Sequence, residues 1–258
     1  MSGEDERFAR LRRDLAGAAD RDEIVALFQP QYTLANRRLV SVETLARWEH
    51  PQLGTIGPAE FIPIAEESDL IGEIGDAMIH LGVAAAAHWE KRVFPVEVAI
   101  NVSILQLHDP DFVSRVAECI DSTPLDPGRI ILELTESTAL ADVPLAVGAS
   151  LALTALGVTL SIDDFGSGYW SEEQVAALPA SELKIDQRLV QAAGATGAEA
   201  LSAAIDFGKG RSMRTVAEGV ETTEQLDRVR ELGCDRAQGY LLGRPMSGDE
   251  LEERLRRG

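Results

Sequence analysis

The chain alternates between two hydrophobic periods. Short runs of β-branched and aliphatic residues are separated by longer stretches whose apolar positions recur every three or four residues. The runs are IVALFQPQY (24–32), LVSVETLARW (39–48), VEVAINVS (96–103), RIILELTES (129–137), VTLSIDDF (158–165), ELKID (182–186), RTVAEGVE (214–221) and AQGYLLG (237–243). Helical text fills most later gaps. LAVGASLALTALG (145–157) ends at a glycine, TTEQLDRVRELG (222–233) opens on a threonine cap and ends the same way, and SGDELEERLRRG closes the chain. Strand alternating with helix predicts a mainly parallel sheet. Eight such units in 258 residues predict a closed barrel more readily than an open sheet. One gap breaks the rule. Only TLANRR separates Tyr32 from Leu39, and a parallel crossover needs about a dozen residues, so the first two strands should form an antiparallel hairpin. The expected fold is therefore an α/β, TIM-like (β/α)8 barrel with an antiparallel first strand pair. The long second gap, 49–95, carries two helical stretches, PAEFIPIAEES and LIGEIGDAMIHLGVAAAAHWEK. Residues 4–20 place Phe8, Leu11 and Leu15 on one helical face. This predicts a lead-in helix over 1–20 ahead of a single domain over 21–258, with no internal repeat.

Composition narrows the partners. Twenty-four basic residues against 43 acidic ones give a formal charge of −19, which argues against duplex nucleic acid or an anionic membrane as a general partner. A small anionic ligand is still admissible if metal ions or a local basic group receive it. No run approaches the ~20 apolar residues of a membrane-spanning helix. The charged start, MSGEDERFARLRRDL, is not a signal peptide. Cys119 and Cys234 are distant in sequence and form no CxxC pair, which fits reduced thiols and a cytoplasmic location. Without a secretory signal, the sequon at Asn101-Val102-Ser103 reads as chance.

In a parallel barrel the functional groups sit at the C-terminal ends of the strands. Those ends offer Glu43, Asn101, Glu133 and Glu136, the pair Asp163-Asp164, Lys184 and Asp186, Glu218 and Glu221, and Gln238. Any one of them alone reads more readily as a solvated or helix-capping group. Together they form a crowd of carboxylates that cations must hold. Oxygen donors without His or Cys suit hard ions such as Mg²⁺ or Mn²⁺, and paired ions are a common device for phosphodiester hydrolysis. Two adjacent aspartates at the end of one strand, in VTLSIDDFGSGYW (158–170), suit such a pair. Other motifs are weak. Gly166-Ser167-Gly168 lacks the GxSxG nucleophile pattern, GKGRS (208–212) lacks Walker spacing, and His50, His80, His88 and His108 form no HExxH.

Seven ordered blocks, ETLARWEHP, INVSILQL, LELTES, DDFGSGY, LKID, VAEGVET and GCDRAQGYLLGRP, resemble the EAL-domain phosphodiesterases that hydrolyse the bacterial second messenger cyclic di-GMP. The resemblance runs from about Glu23 to Pro245. It implies a TIM-like barrel and two Mg²⁺ or Mn²⁺ ions. Glu43, Asn101, Glu133 and Asp163 would hold one ion; Asp163, Asp164 and Glu218 would hold the other. It further implies that Lys184 orients the attacking water, with either Glu218 as the base or metal-hydroxide chemistry without a separate base. Glu221 and Gln238 would support the water and metal network, and Glu136 would brace the DFGSGY loop. Gln29, Leu45 and Arg47 would contact the dinucleotide, Arg47 through phosphate, alongside Glu43, Asn101 and Gln238. The product would be linear pGpG and the assembly a homodimer. A sensor or GGDEF domain would attach upstream at residues 1–20 if the chain is a fragment.

Three positions depart from the family pattern. Thr44 replaces the central alanine of the signature and should point away from the ligand. Trp170-Ser171-Glu172 replaces Ser-Ser-Leu, which bears on loop coupling and dimer strength. Gln31 stands where an aliphatic residue is usual, with an expected effect on the mouth near Gln29. Two alternatives to an active phosphodiesterase stay open: a cyclic di-GMP receptor that cuts slowly or not at all, and a hydrolase of another phosphate ester.

Overall fold

The structure, a computed structural model, describes residues 3–92, 95–135, 142–168 and 170–257. In chain order the elements begin with α1 (Gly3–Leu15), β1 (Ile24–Thr33), β2 (Leu39–His50) and β3 (Gly54–Ile56). Then come α2 (Pro58–Glu67), α3 (Ile71–Arg92), β4 (Glu97–Val102), α4 (Phe112–Asp121) and β5 (Ile130–Thr135). The second half runs α5 (Val143–Ala155), β6 (Thr159–Phe165), α6 (Glu172–Ala177), β7 (Glu182–Ile185), α7 (Gln187–Gln191), α8 (Gly194–Gly210) and β8 (Arg214–Ala217). It closes with α9 (Thr223–Glu231), β9 (Arg236–Gln238) and α10 (Gly248–Arg257).

Strands β2 and β4 to β9 run in one direction, and β1 runs against both of its neighbours, β2 and β9, which closes an eight-stranded barrel. The expected hairpin and fold are both present. The short β3 was not anticipated; it pairs antiparallel with the outer end of β2, Trp48 to His50. The last expected strand is mostly loop, because pairing stops at Gln238 and Gly239 crosses directly over Val220. A Cβ on Gly239 would lie 2.2 Å from the Val220 backbone, so this crossing needs glycine. The strand expected over 214–221 likewise ends at Ala217, leaving Glu218 and Glu221 on the loop beyond it.

The main core lies between strands and helices. Outward residues such as Val42, Ile100, Leu132, Leu160, Ile162 and Leu183 are buried under the helical ring, each contributing about 1.5–3 kcal/mol. Phe28 of β1 meets Trp89 of α3 edge to face at 4.8 Å. The lead-in helix joins this core through Leu11 and Leu15, whereas Phe8 is exposed, a correction to the one-faced reading. The helix stops fall where the glycines placed them: α5 ends before Gly157 and α9 before Gly233, both at positive φ. Thr222 caps α9 in a reciprocal pair with Gln225.

Candidate active site

Strand ends bring Glu43 (β2), Asn101 (β4), Glu133 (β5), Asp163 and Asp164 (β6) and Lys184 (β7) to one pole, with Glu218 just past β8 and Gln238 at the end of β9. In a regular strand, neighbouring side chains point to opposite faces, so Asp163 and Asp164 should diverge. They do not, because the β6–β7 register shifts between Ile162 and Phe165 and Asp164 adopts φ 56°. A left-handed φ in a non-glycine residue costs energy and is found where the surroundings enforce it. Here it turns both carboxylates into the same site.

Carboxylate oxygens of Glu43, Glu133 and Asp163 lie within 4.8 Å of one another, and so do those of Asp163, Asp164 and Glu218. Asp163 belongs to both groups. The Lys184 ammonium is fully buried between them, 2.8 Å from Asp163, 2.9 Å from both Glu133 and Glu218, and 3.6 Å from Glu43. Glu43 is fixed further. Asn101 Nδ2 donates to its Oε1 at 2.9 Å and Gln238 Nε2 to its Oε2 at 2.5 Å.

The electrostatics follow from crowding in a low-dielectric site. Burial, with the charges of Glu43 and Asp163, holds the Glu133 carboxyl well above the usual range despite Lys184. Burial also raises Glu218. Asp164 is pushed up to about 6 by burial and then by its neighbour Asp163. Glu43 goes the other way: burial pushes it up, but the Lys184 charge and the hydrogen bonds from Asn101 and Gln238 outweigh that and lower it. For Lys184, burial is overcome by four surrounding carboxylates, so its ammonium persists far up the pH scale.

Two clefts meet at this cluster. One, of about 330 Å³, is polar and is lined by Gln29, Glu221, Gln238, Gln187 and Tyr240 among others. The other, of about 590 Å³, is walled by Leu45, Ile62, Ile74 and Met78. Glu43, Asp163 and Asp164 line both.

The family model described as EAL domain matches residues 11–245. The chain belongs to the EAL domain family. It is 39% identical, over 94% of its length, to the bifunctional diguanylate cyclase/cyclic di-GMP phosphodiesterase MucR of Pseudomonas aeruginosa. It is 35% identical, over 90% of its length, to the cyclic di-GMP phosphodiesterase PA2567 of the same organism. The chain spans only 36% and 40% of these two relatives. Among solved structures, "PaMucR Phosphodiesterase, c-di-GMP complex" is 39% identical, with a TM-score of 0.87 over 94% of this chain and 99% of that one.

Within this EAL domain most of the expected positions fall into two sets, and three residues stand outside both. Glu43, Asn101, Glu133, Asp163, Asp164, Lys184, Glu218 and Gln238 converge, and Gln29, Leu45 and Glu221 line the clefts. Arg47 lines neither cleft; its guanidinium donates to the Ala46 carbonyl at 2.7 Å. Glu136 lies outside the described residues. Asp186 caps α7 through Arg188 N, the plain structural role. Gln187, Gly219, Gly239 and Tyr240 were not anticipated as cleft residues. Gln187 carries no sequence signal, and Tyr240 was read as part of a strand. Thr44 is buried on the α3 side, within reach of Gly82, and so points away from Glu43, but it is also part of the wall of the apolar cleft. Trp170 is buried and Ser171 caps α6, so the divergent loop still starts its helix.

Do these residues fit a pair of divalent ions? Four carboxylates around one ammonium, with Asp164 beside them, would leave four negative charges when all are ionised, the charge of two such ions. Glu133 Oε1 is buried without a hydrogen-bond partner among the described residues. An orphaned, all-oxygen donor set of this kind suits Mg²⁺ or Mn²⁺.

Proposed function

We propose that this EAL domain hydrolyses cyclic di-GMP to linear pGpG with the help of two divalent cations. The carrying observation is the pair of carboxylate groups that share Asp163, with Lys184 between them. Glu43, Asn101, Glu133 and Asp163 would hold one Mg²⁺ or Mn²⁺ ion; Asp163, Asp164 and Glu218 would hold the other. When bound, such ions polarise a phosphoryl oxygen and lower the pKa of water. The chain's own groups do the rest. Lys184 keeps a fixed positive charge where negative charge grows on the reacting phosphate. Asn101 and Gln238 hold the Glu43 carboxylate in one orientation. The polar and apolar clefts on either side of the cluster suit a ligand whose reacting phosphodiester lies between two nucleobases. Glu221 would support the water network from the rim and Glu136 would brace the DFGSGY loop. Gln29 and Leu45 would contact the dinucleotide, and Arg47 would reach its phosphate only by leaving the Ala46 carbonyl.

Incubation with cyclic di-GMP and Mg²⁺ or Mn²⁺ should yield pGpG, and none should form in EDTA. Binding in EDTA with no turnover on adding either metal would mark a receptor instead. Faster turnover of a linear dinucleotide than of the cyclic one would mark another phosphate ester as substrate.

The same proposal includes a homodimer, supported by the apolar outer face of α5, where Leu145 and Leu151 are exposed. Residues 1–20 would serve as a lead-in to the domain of residues 21–258 and as the attachment point of any upstream sensor or GGDEF domain. A cytoplasmic location is supported by the two buried, unpaired cysteines. Among the described residues no helix is long and apolar enough to cross a membrane.

A further inference from the structure

Gln31 sits one layer below the site and is joined to Glu43 through Gln238. It is completely buried on β1, opposite Gln238 of β9 on one side and Ser41 of β2 on the other. It lines neither cleft, so the expected effect at the mouth has to be indirect. Its Nε2 donates to Gln238 Oε1 at 2.8 Å. Gln238 Nε2 then donates to Gln29 Oε1 at 3.0 Å and to Glu43 Oε2 at 2.5 Å. Gln29 Nε2 donates in turn to the Gly243 carbonyl at 3.0 Å.

An amide has one oxygen that accepts and one nitrogen that donates, and the two ends are nearly the same shape. Packing alone therefore does not decide which end of Gln238 faces Glu43. Hydrogen bonding does. The Gly243 carbonyl demands a donor, which turns Gln29 Oε1 toward Gln238. Gln31 presents a donor to the opposite end of Gln238. Together they leave the Gln238 amide hydrogens for Gln29 and Glu43. A reversed Gln238 would set its oxygen against the Glu43 carboxylate, a repulsive contact in a buried site. Gln31 Oε1 has no hydrogen-bond partner among the described residues, and an aliphatic side chain here would in turn leave Gln238 Oε1 without its donor.

We propose that Gln31 is a positioning residue for the cation site, acting only through Gln238 to keep the amide donor, and hence Glu43, in its ligating orientation. This rests on the metal-dependent reading above. The test is Mn²⁺ titration followed by electron paramagnetic resonance without nucleotide, with kcat and KM measured alongside. Gln31→Met keeps volume and removes the donor; Gln31→Leu is the companion should one variant fold poorly. Either should weaken Mn²⁺ binding by about tenfold, as loss of a partner behind a metal ligand does. Either should lower kcat while KM for cyclic di-GMP stays within about twofold. In a Gln238→Met background the same substitutions should change nothing further, because the two residues act as one unit. Unchanged Mn²⁺ affinity in Gln31→Met and Gln31→Leu, or losses that add to those of Gln238→Met, would overturn the inference alone. Wild-type protein that binds no Mn²⁺ would overturn the metal-site reading and this inference with it.

Discussion

The barrel holds an ionic cluster at each end, one partly and one almost fully buried, and they are built on opposite principles. At the N-terminal ends of the strands, Arg214 Nε meets Glu182 at 2.5 Å and Arg236 meets Glu97 at 2.5 Å. Two arginines answer two glutamates, and each element contributes its first residue. At the C-terminal ends, five carboxylates face a single lysine. The lower cluster is balanced in charge, although Glu182 Oε1 has no hydrogen-bond partner among the described residues. The upper one would carry four unanswered negative charges if every carboxyl were ionised, and its raised carboxyl pKa values show that burial and crowding oppose that state. Charge balance, more than burial or acidity, separates a structural cluster from one prepared for ions.

This contrast can be broken at several points. Removing the shared ligand should have the largest effect. Asp163→Asn should cut kcat/KM by well over about a hundredfold, more than loss of a partner behind a ligand. In EDTA the same variant should melt higher than wild type, because one repelling charge is gone. A lower melting temperature in EDTA would mean that the upper cluster is as self-sufficient as the lower. Arg236→Met should do the reverse, costing about 2 kcal/mol in stability by taking the close charged hydrogen bond from half-buried Glu97 and leaving it to Arg214 at 3.5 Å, with the upper cluster intact. Denaturant melts of the two variants, with and without Mn²⁺, would test both.

Cation binding comes next. Mn²⁺ at a hundred times its dissociation constant should stabilise wild type by about 2.7 kcal/mol and Asp163→Asn far less. A melting curve indifferent to Mn²⁺ would contradict the charge argument. The pH response of the ion-free domain is smaller. Asp164 titrates at about 6 in the fold against about 3.9 in an unfolded chain. Its folded value is the higher, so the fold binds its proton more tightly. Its share of stability is complete below about pH 3.9 and is lost as pH rises through about 6. Asp164→Asn should flatten that fall in EDTA melts between those limits. The smallest effect is expected at Thr44→Ala. Thr44 Oγ1 is buried with no hydrogen-bond partner among the described residues, so its removal should change stability by less than about 1 kcal/mol and leave kcat unaltered.

Much of the site was legible because its chemistry sits where the strand pattern stops. Glu133 ends an apolar run, Glu43, Asp163 and Lys184 lie toward the ends of other β-like segments, and a parallel barrel gathers such positions at one pole. Residues on irregular backbone were harder. Tyr240 was read as strand because YLL is β-like locally, yet Gly239 has already ended the pairing by crossing Val220. Arg47 has the right chemistry for phosphate, but its half-buried fork is engaged by the neighbouring carbonyl. Phe8 fits the helical period of α1 and is still exposed, whereas Leu11 and Leu15 are buried where α1 packs beside α2.

Hydrophobic period, gap length and strand-end acids were enough to determine a barrel with one reversed strand and an oxygen-rich rim, since these depend on local spacing and on rules shared by all parallel barrels. Tertiary structure alone decided that Asp163 and Asp164 face the same way, and that three buried glutamines form one directed chain behind Glu43. Both outcomes depend on strand register and on which neighbour supplies a donor, and register is a property of the closed sheet that no single strand carries.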